Sequence, residues 1–198
     1  MVIGLILLIP VVGAINAIGW MLASLDRLRA GEERLAPANL SHLGRGIRLF
    51  MVDVVYDVVL ILVGVLFYVP AVLIFVHEGT GTANTGLVSL AVLLSLLTFS
   101  VITLGSLALN FAMPAIVLAT DRGGIGGGLR VGDVVRRARL SLADTLIAGL
   151  MLIAAGFIGS LGTVACGIGV LFTTAYAMAM QAWIIRSFEV GSHPTPAA

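Results

Sequence analysis

The chain contains no lysine, a single cysteine and few charges of either sign. One thiol, Cys166, cannot close an internal disulfide, and it excludes a CxxC pair or a zinc cluster within the chain. It lies between Ala165 and Gly167, as a small buried hydrophobe or, alternatively, a reactive thiol. Charged residues make up 11% of the sequence and apolar residues 60%. Soluble domains run at roughly a quarter charged and about half apolar, so a water-exposed surface is not available to this chain. A strongly acidic surface is also lacking. Neither basic stretch is dense enough, or interleaved with aromatics, for nucleic acid.

Motifs for catalysis and cofactors are missing as well. The glycine run at 123–128 (GGIGGG) has no Gly-Lys-Ser/Thr ending and no Gly-x-Gly-x-x-Gly register, so it reads as a flexible linker rather than a nucleotide loop. His42, His77 and His193 have no metal-ligand spacing to each other, to Cys166 or to a carboxylate. No Gly-x-Ser nucleophile or Ser/His/Asp arrangement is legible. The expectation is no cofactor, no metal and no catalytic residue.

What is there is apolar and long. Five runs, at about 2–24, 54–76, 87–109, 142–161 and 168–185, are each long enough to cross a bilayer. The fold class expected is all-α, a polytopic transmembrane bundle of about five spans filling residues 1–190, with a disordered tail at 191–198. The first run reads as a span and not a cleaved signal, since no basic residue precedes it and it continues into a basic stop. Pro10 predicts a kink there, and Trp20 an anchor at headgroup level.

The eleven arginines are distributed unevenly. Ten lie in two connections, 25–48 and 121–141, and Arg186 follows the last run; the turns at 77–86 and 159–167 have none. Under the positive-inside bias this puts the N-terminus outside and the C-terminus in the cytoplasm of a cell-membrane protein. Arginines so placed can meet anionic lipid headgroups at the inner face and a protein partner.

Local signals refine the elements. Ser41 is the expected cap of the second helix, whose start at 45–57 reads as an amphipathic entry at the inner interface. The uncharged stretch 87–119 would reach about 50 Å as a straight helix, so a bend is expected near Pro114. Asp133 is placed as the cap of a short basic helix, 134–140, and Ser141 with Asp144 as a capping box for the fourth span. Small residues recur as Ala155-xxx-Gly159, Gly156-xxx-Ser160 and Thr173-xxx-Ala177, for hairpin packing or a homodimer seam.

Asp53 and Asp57 form the candidate site. Spaced i,i+4, they share one helix face and repel, so cationic partners or altered protonation are required. Arg136, Arg137 and Arg139, or Arg27 and Arg29, are the candidate partners at the same depth. Two readings follow: a structural ion-pair cluster in the inner interface, or an ion or proton site. The corresponding functions are a non-enzymatic structural or accessory membrane protein and, as the alternative, a small transporter or channel subunit with Asp53 and Asp57 at its inner mouth.

Several stretches are similar to a known family. Ile9-Pro-Val-Val-Gly13, then Gly19-Trp20 and Leu28-Arg29-Ala30-Gly31-Glu32-Glu33, resemble the opening of an uncharacterised prokaryotic membrane family, domain of unknown function four-thousand-and-thirteen. Phe111-Ala-Met-Pro114-Ala115 and Cys166-Gly-Ile-Gly169-Val-Leu-Phe172 with Tyr176 fit the same pattern, over roughly residues 5–188. The resemblance implies a multi-pass membrane protein and carries over no catalytic residue. It also implies an aromatic, charged segment before the first apolar run, which this sequence, beginning inside the run, does not show.

Overall fold

The computed structural model describes residues 10–191 apart from 33, 38, 80–83 and 165–167. The expectations for a kink near Pro10, for Cys166 and for the tail fall wholly or mostly on residues outside that set. Six α-helices follow one another among the described residues: α1 (Pro10–Arg29), α2 (Leu43–Glu78), α3 (Thr85–Gly128), α4 (Val131–Leu140), α5 (Leu142–Val164) and α6 (Ile168–Gly191). A short 3-10 turn, Leu40–His42, precedes α2. Four of the helical stretches are long and apolar enough to cross a membrane: Val11–Arg29, Leu40–Glu78, Thr85–Gly128 and Leu142–Gly162.

The chain divides into two compact units, one of Met1–Asp53 with Asn110–Ala198, the other of Val54–Leu109. The second consists of α2 from Val54 to its end and the first half of α3. Its two helices are paired through glycine: a Cβ on Gly64 would lie 2.8 Å from Ile102, and one on Gly105 2.3 Å from Leu60. The outward faces are aliphatic and aromatic, with Leu66 68% and Phe99 70% exposed. Water would not tolerate such a surface, whereas lipid tails would. The hydroxyls of Ser95, Thr98 and Ser100 each donate to the carbonyl four residues back at 2.8 Å, so these three polar hydrogens are satisfied within the helix.

In the first unit α1 is the buried helix. Asn16, Trp20 and Ser24 lie one turn apart on a single face, and all three hold the connection that follows. Asn16 Nδ2 donates to the Asn39 carbonyl at 3.0 Å, Trp20 Nε1 to that of Ala36 at 2.8 Å, and the Ala36 amide donates to Ser24 Oγ at 3.2 Å. A buried backbone must find such partners. Trp20 is therefore a core residue and not the headgroup anchor expected: its ring packs with Ala17 and Ala36, against Met178 and Ala179 of α6.

Helix α1 ends at a glycine. Gly31 has φ +79, the Gly31 amide donates to the Leu28 carbonyl and the Glu32 amide to that of Arg27, the paired bonds of a Schellman stop. The chain returns so closely that a Cβ on Gly46 would lie 1.8 Å from the Ile15 carbonyl oxygen, and one on Gly19 2.0 Å from that of His42. Only hydrogen fits there.

Four local expectations are corrected. Asn39, not Ser41, provides the cap ahead of α2, its side chain accepting from the Ser41 amide. The backbone of helix α3 stays helical through Pro114, as it can on either side of a proline bend, and its one non-helical residue is Gly124 at φ 63 and ψ −160. Pro114 is fully buried and followed by buried Ala115, Ile116, Val117 and Leu118, so packing holds the helix across the missing donor. The glycine run is consequently helix interrupted at Gly124, not a linker. Helix α4 begins at Val131, with Asp133 inside its first turn instead of at the cap; Ser141 Oγ is buried and makes no capping bond among the described residues.

Helices α5 and α6 pack as a hairpin, α6 also against α1. A Cβ on Gly159 would sit 3.4 Å from that of Ala177, and Thr173 Oγ1 donates to the Gly159 carbonyl at 2.9 Å. The small residues thus meet within one chain.

Candidate functional site

The charged ends of α1, α2, α3 and α6 converge in the first unit. Arg29, the last residue of α1, is the hub. Its Nε and Nη2 donate to Glu189 Oε2 and Oε1 at 2.8 and 3.0 Å, and its Nη1 to Asp121 Oδ2 at 2.7 Å and Asp26 Oδ1 at 3.1 Å. Arg45 of α2 bonds Asp121 Oδ1 at 2.6 Å and grips Asp26 through both of its terminal nitrogens. Glu189 also accepts from Arg122 Nη2 at 3.0 Å and from Arg186 Nη1 at 3.2 Å. Asp121 and Glu189 are nearly buried, with side chains 9% and 10% exposed.

Removing these carboxylates from water costs free energy that only close cations offset. Burial alone would raise the Glu189 carboxyl, but the hydrogen bonds from Arg29 and Arg122 outweigh it and hold the group below its ordinary range. A cavity of about 420 Å³ lies beside the Arg45–Asp121 bond, lined by Leu22, Gly44, Arg48, Leu49, Val117 and Thr120 as well as that pair. Such a lattice can lock helix ends in register. It offers no uncommitted base or nucleophile.

The residues singled out from sequence lie on α2 and α4, with Arg27 and Arg29 on α1. Asp53 is half-buried and Asp57 exposed on α2. Arg136 pairs within its own helix, Nη2 to Asp133 Oδ1 at 2.9 Å, and Arg139 is exposed. Arg137 is half-buried, its Nη1 enclosed with no hydrogen-bond partner among the described residues. Asp26, Asp121 and Glu189 are carboxylates that gather arginines from several helices. The signal for two of them was present: Asp121 ends the longest uncharged stretch, and Glu189 is the sole acid after the last arginine. Among the described residues no group of three or more His, Cys, Asp or Glu is arranged to hold a metal ion.

Long apolar helices with lipid-suited faces and a charged, cross-linked end define an all-α polytopic membrane protein. A family described as Protein of unknown function (DUF4013) matches residues 2–168, and the chain belongs to that family. No curated protein and no solved structure matches it.

Proposed function

We propose that the protein is a non-enzymatic structural or accessory component of the cell membrane, with five spans, its N-terminus outside and its C-terminus in the cytoplasm. The observation that carries this reading is the Arg29 hub: one guanidinium joins three carboxylates from three helices, and Arg45 shares two of them. Charges spent on each other hold a scaffold together. They are poorly placed for turnover or for passing an ion. The same end contains the arginines of both basic connections, which supports a cytoplasmic placement facing anionic headgroups and a protein partner.

The intramembrane hydroxyls of Ser95, Thr98 and Ser100, bonded to their own helix, give a transported ion nothing to exchange with. Reconstitution into liposomes tests the proposal. Proton and ion leakage should equal that of protein-free vesicles, and Arg29→Gln should lower the thermal midpoint in detergent. Flux that Asp57→Asn abolishes, with unchanged stability, would instead establish the transporter with Asp53 and Asp57 at its mouth.

A further inference from the structure

Next to the network is a more basic place. A cavity of about 460 Å³ is lined by Arg122, Arg130, Arg136 and Arg137, with Asp133 as the opposing carboxylate and Gly123 at its wall. Four guanidinium groups converge on one acid, and that acid is already bonded to Arg136. Arg137 is the informative member. Its Nη1 is closed off from solvent yet donates to nothing among the described residues. Turned towards the cavity by a side-chain rotation, that N–H would gain the acceptor it lacks from a bound anion. Burial, and then the charge of Arg122, push Arg137 below its ordinary value, which an anion in the cavity would reverse.

Shape agrees with charge. A Cβ on Gly123 would meet nothing within 4 Å, so the wall there is open backbone through which an anion can come close. The volume exceeds that of a bare tetrahedral anion and falls in the usual range of about 300–1,000 Å³ for small-ligand sites. Planar guanidinium forks match phosphate oxygens two at a time.

We propose that this cavity binds the phosphate group of a phosphate ester, with Arg137 as its central ligand and Arg130 and Arg136 closing over it. Two sources supply that chemistry: a phospholipid headgroup and a soluble phosphate monoester. The lipid source rests on the orientation proposed above; the soluble source does not.

The test uses the full chain in detergent. Calorimetric titration with glycerol 3-phosphate forms one arm, and retention of labelled phosphatidylglycerol through purification the other. One arm should show saturable binding that Arg137→Gln weakens at least tenfold. Gly123→Leu, which fills the cavity and keeps every arginine, should weaken it too, while Arg34→Gln leaves it unchanged. Thermal midpoints verify that each variant is folded, and Gly123→Leu decides the matter if Arg137→Gln is not. Heat from glycerol 3-phosphate assigns the site to a soluble ester, and retained lipid alone to a headgroup. Absence of binding in both arms overturns the site, as does binding that Gly123→Leu leaves intact. Orientation is read separately by cysteine labelling, so its failure is distinguishable.

Discussion

The guanidinium of Arg29 forks onto the carboxylate of Glu189, Nε to Oε2 at 2.8 Å and Nη2 to Oε1 at 3.0 Å, across 160 residues of sequence. Planar two-point pairing of this kind fixes orientation as well as distance. It ties the end of the buried helix α1 to the end of α6, and through Asp121 to α3. A membrane bundle has no hydrophobic drive pulling its helices together inside lipid. Such a clasp at the polar end, together with close glycine contacts, is where its register is set.

The Glu189 carboxyl carries a pH signature. Its folded value is depressed, so over the window between that value and the ordinary value of 4.5 the unfolded chain binds the extra proton. The stabilisation is therefore complete above the ordinary value and is lost as pH falls through the depressed one. Thermal midpoints of wild type and Glu189→Gln, taken from pH 7 downwards, should differ at neutral pH and converge in acid. A gap that stays constant would contradict the pairing.

Gly46 and Gly44 offer a matched contrast. A methyl on Gly46 collides with the Ile15 carbonyl, while one on Gly44 meets nothing within 4 Å. Gly46→Ala should destabilise by about 1–3 kcal/mol, the usual cost of overpacking. Gly44→Ala should be neutral, or stabilise by up to about 1 kcal/mol through helix propensity. Chemical denaturation in detergent measures both.

Trp20 should behave as a buried donor. Trp20→Phe preserves most of the ring but leaves the Ala36 carbonyl without the indole bond of 2.8 Å. The expected loss is about 1–3 kcal/mol, as for other unsatisfied buried groups. Faster amide exchange in the connection around Ala36 should accompany it.

Much of the helix plan was legible because apolar runs record burial or lipid contact directly. The run starting at 142 and the helix starting at Leu142 coincide. The misses have physical causes. Trp20 has the chemistry of an interface anchor, and only the fold shows that its N–H meets the Ala36 carbonyl. The glycine run signals a loop locally, yet the chain there is helical except at Gly124. Asp53 and Asp57 stood out because they repel along one helix, a local property. Asp26, Asp121 and Glu189 matter through partners far off in sequence, which no periodicity encodes.

Orientation is open to direct labelling. In a Cys166→Ala background, Thr85→Cys should react with an impermeant maleimide on intact cells, and Arg139→Cys only after permeabilisation. The reverse pattern would invert the proposed topology and move the basic end outside.

The scaffold reading stands or falls with the Arg29–Glu189 pair, and a double-mutant cycle with Arg29→Gln and Glu189→Gln measures it. Both side chains are largely buried, at 24% and 10% exposed, so the charge-assisted bonds are worth more than a surface pair. A coupling energy of about 1.5–3 kcal/mol in detergent is the predicted result, in the range of bonded neighbours. Effects that add to within about 0.5 kcal/mol would mean the two residues do not act together, and would contradict the account.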